Sequence, residues 1–416
     1  MENKYTPEIR FSGFTENWEQ RKVGDFYFFK NGLNKEKEFF GSGTPIVNFT
    51  DVFHNRGLFS KDLKGKVQLT QKEINNYEVQ QGDIFFTRTS ETIEEIGYPS
   101  VMIDNPINTV FSGFVLRGRA IENDPLVLDY KRYVFFTNTF REEMKKKSSM
   151  TTRALTSGTA IKEMLFNYPK SKVEQEQIGK LFKQLDDMIT LHQQELTTLK
   201  QTKQGFLQKM FPKEGEFVPE IRFPGFTGDW EQRKVMDFSE ETFGGGTPKT
   251  SIKEYWNGEI PWIQSSDLDQ HQVSGVFAKK KINEKGLQNS ATKLIPKNSI
   301  AIVTRVGVGK IALMQFEYAT SQDFLSLSNL KVNEWFGVYS LYNQLQKELH
   351  NVQGTSIKGI TKNELLDKKI NIPTNLEEQN KIGKFFKQLD GTIALHQREL
   401  NALKETKKAF LQKMFV

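Results

Sequence analysis

The stretch IGKLFKQLDDMITLHQQELTTLKQTKQGFLQKMF at residues 178–211 returns at 382–415 as IGKFFKQLDGTIALHQRELNALKETKKAFLQKMF, identical at 24 of 34 positions. Its apolar residues recur in steps of four and three, at Ile178, Phe182, Leu185, Ile189, His192, Leu196, Leu199, Lys203, Phe206 and Met210. That spacing is a heptad seam with His192 and Lys203 as its polar exceptions. The copy runs Ile382, Phe386, Leu389, Ile393, His396, Leu400, Leu403, Lys407, Phe410 and Met414, with its exceptions at the equivalent places. A helix of this length spans about 51 Å, and each copy presents one apolar stripe that needs a partner. The other copy can supply it. Parallel pairing in register would set Lys203 against Lys407, so the seam predicts antiparallel pairing, with Lys203 opposite Leu389 and the two histidines near the middle.

A second block repeats upstream. Residues 7–26, PEIRFSGFTENWEQRKVGDF, return at 219–238 as PEIRFPGFTGDWEQRKVMDF, identical at 16 of 20 positions. The offset is 212 residues for this block and 204 for the helix, while the stretches between have diverged. Two like frames therefore carry two unlike inserts, as expected where loop-bearing surfaces meet different ligands. The expected organisation is a frame segment at 1–26, an insert domain at 27–170, a central repeat at 171–238 with the long helix 178–211, a second insert domain at 239–374 and a terminal repeat helix at 375–416. The paired Trp18 and Trp230 read as buried packing or a partner anchor rather than as base-stacking residues.

With 416 residues, 26% charged and 37% hydrophobic, the chain suits two or three folded domains. A formal charge of +7 leans mildly toward polyanions. The absence of cysteine excludes disulfides, thiolate metal sites and a cysteine nucleophile, and fits a cytoplasmic setting. No run approaches the roughly 18 to 20 apolar residues that cross a bilayer, so no membrane partner is expected.

Each insert alternates short β-rich runs with turns, which predicts a mixed α+β domain. Strands are expected at Ile84–Thr87 and Phe111–Leu116, and a helix at Tyr130–Lys147 ending in Lys145, Lys146 and Lys147. The second insert predicts strands at Ile260–Ile263 and Ile300–Thr304 and a helix at Val338–His350.

Catalytic motifs fail one by one. Asn105-Pro106-Ile107-Asn108 lacks the second proline and the aromatic of a base-amino methyltransferase. Val306-Gly307-Val308-Gly309-Lys310 is followed by Ile311 where a phosphate loop needs Ser or Thr. The Gly244-Gly245-Gly246-Thr247-Pro248 run reads as a turn. Glu143-Met144-Lys145 lies in a predicted helix without the Pro-Asp pair of a nuclease. The five histidines form no ligand spacing. The chain reads as a binding protein whose reactions belong to partners.

Two repeated frames with matched long helices around dissimilar inserts resemble the specificity subunit of type I restriction-modification systems, across nearly the whole chain. The residues that carry the resemblance are Pro7-Glu8-Ile9-Arg10-Phe11 with Trp18-Glu19, their copy Pro219-Glu220-Ile221-Arg222-Phe223 with Trp230-Glu231, and the two helix texts. Gly-Glu-Ile-Pro-Trp-Ile at 258–263, Ser266-Asp267-Leu268 and Ser321-Gln322-Asp323-Phe324 extend it, whereas Phe111-Ser112-Gly113-Phe114 departs where the glutamine would fall. The resemblance implies an α+β fold with two mixed target recognition domains, separated by a pair of long antiparallel coiled-coil helices with pseudo-twofold symmetry. It further implies that each domain reads one half of a bipartite asymmetric target in double-stranded DNA. Two modification subunits holding S-adenosylmethionine, and restriction subunits using ATP and Mg, would then carry adenine methylation and cleavage, leaving no cofactor and no metal on this chain.

Local echoes between the inserts nominate base readers. Asn48-Phe49-Thr50-Asp51-Val52 matches Gln264-Ser265-Ser266-Asp267-Leu268, and Thr87-Arg88 matches Thr304-Arg305. Arg can bond guanine O6 and N7 in pairs, and Asn or Gln can do so for adenine. Arg88 and Arg305 lead, with Asn48, Thr50, Thr89, Ser90, Gln264, Ser265, Ser266 and Gln322 beside them. The other reading of Arg88 is an ion pair with Glu91, Glu94 or Glu95 that steadies its loop. Asp51 and Asp267 read as caps or loop anchors rather than cytosine acceptors. Lys145, Lys146, Lys147, Arg153, Lys310 and Lys358 are phosphate candidates. An internally duplicated scaffold that organises protein partners without reading DNA would carry the same repeats.

Overall fold

The computed structural model describes residues 5–351 and 359–416. The chain forms two compact units: the first takes residues up to His192 and then Glu399–Val416, the second takes Gln193–Arg398. Both mix helix and strand, as an α+β fold requires.

In the first unit a five-stranded sheet runs in the order Tyr27–Asn31, Val115–Ala120, Ile84–Thr87, Pro99–Met102 and Gly57–Leu58. Ile84–Thr87 is buried throughout because both faces are covered: Ile84 and Phe86 point into the main core, and Phe85 points into a second cluster with Val47, Val52 and Phe111. A three-stranded sheet joins Lys66–Val67, Phe40–Val47 and Val110–Phe111, the last pair parallel. The single strand expected at 111–116 is therefore two, Val110–Phe111 and Val115–Ala120, in different sheets. Gly113 makes the corner between them, where a Cβ would lie 2.1 Å from Asn34 Oδ1.

The helix expected at 130–147 is also two, Leu128–Val134 and Asn138–Lys147. Thr137 caps the second by accepting from Phe140 N. The break turns Phe135 and Phe140 into one core with their rings 5.1 Å apart.

The second unit repeats this plan with four strands, in the order Ser239–Gly244, Phe324–Leu330, Ser299–Val303 and Ile311–Met314. Its three-stranded sheet joins Lys280–Ile282, Ile260–Ile263 and Ala319–Thr320, the last pair again parallel. The helix expected from Val338 begins earlier, at Glu334–Asn351.

The long helices are Lys172–Lys209 and Leu376–Lys413. The first starts six residues before the heptad pattern does, where Ser171 Oγ accepts from Glu174 N, and it stops just short of Pro212. Within each unit, segments of the two helices run antiparallel. In the second unit Lys203 Nζ lies 2.6 Å from Asp390, beside the expected Leu389, while Phe206 meets Phe385 and Phe211 meets Phe386. In the first unit Lys407 pairs with Asp186, the equivalent of Asp390, and Phe182 meets Phe415. His396 Nδ1 lies 3.3 Å from Glu195 in the second unit, and His192 Nδ1 lies 3.7 Å from Glu399 in the first. Along the seam Ile178, Phe182, Leu185, Leu196, Ile382, Phe386 and Leu400 are buried. Ile189, His192, Leu199, Leu389, Ile393, His396 and Leu403 are half-buried.

The two seam lysines are thus each paired with a carboxylate. Asp390 also accepts from the Tyr339 hydroxyl at 2.7 Å, as Asp186 does from Tyr133 at 2.8 Å, and burial pushes both phenols far up. Lys203→Met should cost about 2 kcal/mol, less than a fully enclosed pair, because Asp390 keeps the tyrosine hydroxyl and some water. Urea unfolding of the two proteins checks this, and an unchanged midpoint would mean the pair is inert.

The frames dock where the repeat demands. Trp18 is buried against Tyr130 and Phe415 in the first unit, and Trp230 against Phe336 and Phe211 in the second. Ile9 N donates to Lys413 O, and Ile221 N donates to Lys209 O, each at 2.9 Å. Arg10 bonds both carboxylate oxygens of buried Glu174 at 2.7 and 2.9 Å, and Arg222 bonds those of Glu378 at 2.7 and 2.8 Å. No helix of the described residues is long and apolar enough to cross a membrane.

Candidate nucleic-acid interface

In the first unit the ends of three strands converge. Val47 O accepts from Ser112 N at 2.9 Å, Leu33 O accepts from Gly113 N at 2.7 Å, and Phe114 O accepts from Arg88 N at 2.9 Å. Asn48, Arg88 and the 112–114 corner therefore share one edge. Asn48 opens the Phe49–His54 helix, and its N–H donates to Asp51 Oδ2 at 2.8 Å. Asp51 is the cap that the sequence predicts, with burial raising its carboxyl above the usual range. Thr50 is exposed on the first helical turn.

Arg88 is half-buried and donates from Nη1 to Gly113 O at 3.3 Å. Among the described residues it makes no ion pair, so the alternative of a pairing with Glu91, Glu94 or Glu95 is not what holds it. Thr89 and Ser90 form a short strand against Ala154–Leu155. Ser90 is buried and donates to Glu95 Oε2 at 2.6 Å, so it supports the turn from inside. Thr89 is half-buried. Arg153 is exposed in the turn before Ala154–Leu155, while Lys146 and Lys147 are exposed at the end of the Asn138–Lys147 helix. Lys145 is half-buried and lies 2.5 Å from Glu142.

The second unit builds the same edge from other side chains. Ile263 O accepts from Ser321 N at 2.9 Å, and Asp323 O accepts from Thr304 N at 2.7 Å. Gln264 N donates to Asp267 Oδ2 at 3.0 Å, the counterpart of the Asn48–Asp51 cap. Gln322 is exposed and accepts from Thr247 Oγ1 at 3.0 Å. Ser265 O accepts from Lys310 Nζ at 3.0 Å, which turns that half-buried lysine along the loop, and exposed Ser266 accepts at its carbonyl from Lys279 at 3.2 Å. Arg305 is exposed and without an ion pair among the described residues. Lys358 lies outside the described residues.

Strand register corrects one equivalence. Val115 faces Thr87 and Phe324 faces Val303, so the counterpart of Arg88 is Thr304, and that of Thr89 is Arg305. The loop bonds agree, since Thr156 N donates to Arg88 O as Ile360 N donates to Thr304 O. The two arginines stand one residue apart on the shared plan, which rotates their side chains to different faces.

The same register adds residues that sequence patterns missed. Phe114 is 56% exposed beside Arg88, and its counterpart is Asp323, which accepts from Ser321 Oγ at 3.2 Å. The departure at Phe111-Ser112-Gly113-Phe114 was the available signal. Asn34, packed against Gly113, joins the same edge.

A family model described as the type I restriction modification DNA specificity domain matches the chain twice, at residues 15–201 and 227–405. The putative type I restriction enzyme MjaX specificity subunit of Methanocaldococcus jannaschii is 24% identical over 410 residues, covering 95% of this chain and 92% of that one. The type I restriction enzyme MjaIX specificity subunit of the same organism is 28% identical over 192 residues, 45% of this chain and 44% of the relative. The match thus spans less than half of that relative. The Escherichia coli EcoR124I/EcoR124II specificity subunit is 31% identical over 156 residues, 36% of this chain and 38% of the relative. Among solved structures, the S subunit of a type I restriction-modification system from M. genitalium has the same fold, with a TM-score of 0.64 at 14% identity over 99% of both chains. A second, from a study of type I system assembly and conformational transition, gives 0.54 at 15% identity over 95% of this chain and 96% of that one.

Proposed function

Because this chain belongs to the family of type I restriction-modification DNA specificity proteins, we propose that it reads double-stranded DNA through two recognition domains, about residues 27–170 and 239–374, each taking one half of a bipartite asymmetric target. The observation that carries this reading is the pair of edges built on one backbone plan and furnished differently: Asn48, Arg88 and Phe114 in one unit, Gln264, Arg305 and Gln322 in the other. Amide and guanidinium groups at strand ends suit base edges in the major groove, and Lys146, Lys147 and Arg153 suit phosphates.

The chain carries no chemistry of its own in this reading. Two modification subunits holding S-adenosylmethionine bind the repeated frames and methylate adenine, and restriction subunits with ATP and Mg cleave. Selection from duplexes with randomised sequence tests it. Two conserved clusters separated by indifferent bases support the reading, and a bound pool no different from the input would favour the scaffold alternative.

Arg305 is the sharper of the two arginine readers, being exposed and free of an ion pair among the described residues. Arg305→Ala should cost about 1–3 kcal/mol on the selected duplex, concentrated at one base pair of one half-site. Competition with single-base variants of that duplex checks it. A uniform loss over all variants would recast Arg305 as a phosphate contact.

A further inference from the structure

The first unit holds a cleft of about 400 Å³ between the Asn138–Lys147 helix and the last turns of the Leu376–Lys413 helix. Its charged lining is Arg141, Lys145, Lys404, Lys407 and Lys408, against Glu94 as the single carboxylate. Lys407 and Lys145 have their own acids in Asp186 and Glu142. Lys404 and Lys408 are exposed and have no ion pair among the described residues.

Beneath the cleft the positive charge is deeper than its acids answer. Arg141 is buried and donates to the carbonyls of Ile96 and Glu94, and its guanidinium lies 4.2 Å from the centre of the Tyr98 ring. Arg56 stacks on the same ring at 5.2 Å and donates to Pro99 O at 2.5 Å and to Phe53 O. Neither guanidinium bonds a carboxylate among the described residues, and burial pushes both down to about 10. An anion in the cleft would offset that cost.

The repeat supplies an internal control. The equivalents of Lys404 and Lys408 are Lys200 and Gln204. The cleft of the second unit that takes in Gln204, about 830 Å³, does not reach Lys200; seven amide side chains line it, with Lys213, Lys347 and Lys369 set against Glu214 and Glu348. Lys404 and Lys407 thus have lysine counterparts in Lys200 and Lys203, and the cationic excess particular to the first copy lies in Lys408 and in Arg141 and Lys145, which the Asn138–Lys147 helix brings to it.

We propose that the cleft of the first unit seats a backbone phosphate of the bound duplex, with Lys404 and Lys408 as its direct cations and Arg141 supplying the field from below. The inference rests on the DNA-reading function above. Continuity favours a duplex over a free anion: the helix that lines the cleft runs on through Lys146 and Lys147 into the Ser149–Met150 strand, whose partner Ala154–Leu155 pairs with Thr89–Ser90 beside Arg88.

The test compares wild type, Lys404→Gln/Lys408→Gln and Lys200→Gln on the selected duplex across a salt series. Each neutralised phosphate contributes about 0.9 to the slope of log affinity against log salt, so with one phosphate seated the double variant should lose about 1 of slope and roughly tenfold in affinity, equally on all sequences. Lys200→Gln should match wild type. A double variant that tracks wild type at every salt concentration, while wild type stays selective, overturns the cleft assignment and leaves the reading intact. So does a Lys200→Gln loss of equal size. Tripolyphosphate separates the sources: stabilisation of wild type that the double variant lacks, with duplex binding unchanged, would make this a free-phosphate site instead. Wild type that holds all duplexes alike sinks the reading of sequence, yet still supports the cleft if the double variant weakens that uniform binding. Wild type that holds no duplex overturns both.

Discussion

Arg10→Met is expected to lower the stability of the first unit by about 3–5 kcal/mol, the cost of leaving an enclosed carboxylate without its cation. Glu174 is 1% exposed at its side chain, and Arg10 is its only ionic partner among the described residues. The Trp18 indole donates to the same carboxylate at 3.2 Å and cannot neutralise it. The pair ties the frame segment to the first turn of a long helix, so its loss also loosens the seat of Trp18. Urea unfolding followed by tryptophan fluorescence gives the number. Adding Glu174→Gln to Arg10→Met should recover part of the loss, because the uncompensated charge is then gone. An additive loss in the double variant would show that Arg10 acts by packing alone. Arg222→Met, with Glu378 as the stranded partner, should reproduce the effect in the second unit.

Exchange of residues 27–170 for the insert of another family member is expected to replace one half of the preferred duplex and leave the other half as it was. Specific sites exceed non-specific binding by 10³ or more, so affinity for the original duplex should fall by about that order while a hybrid duplex regains it. The expectation follows from the edges: Asn48, Arg88 and Phe114 all lie in the first insert, and Gln264, Arg305 and Gln322 in the second. Selection of duplexes by the exchanged protein reads out both halves at once. Loss of preference in both halves would mean that the inserts do not read independently.

What the sequence made legible was periodic or local. The heptad spacing located both long helices, and the seam lysines pointed to antiparallel pairing, which Lys203 with Asp390 and Lys407 with Asp186 realise. Asp51 and Asp267 were legible as caps because an N-cap and its acid three residues on form a local pattern. The break at Thr137 was hidden because Tyr133–Phe136 and Phe140 read as one apolar helical face across it, although the polar Thr137-Asn138-Thr139 between them opens on a capping residue. The corner at Gly113 depends on the approach of Asn34, 79 residues away, which no local propensity reports. The offset between Arg88 and Arg305 is set by strand register, and a one-residue slip is invisible in a gapless alignment by eye. Lys404 and Lys408 look like ordinary solvated charge until the fold brings them to Arg141.

The first unit is discontinuous: Met414 and Phe415 complete the core that holds Trp18, Tyr130 and Phe182, whereas the second unit is drawn from one unbroken stretch. On the ribosome, residues 193–398 are all synthesised before 399–416 appear. The half that is translated first must therefore wait, with its aromatic cluster open to water, while the later half has everything it needs to close. Nascent-chain arrest at successive lengths should record compaction of the second unit ahead of the first, an order opposite to that of translation.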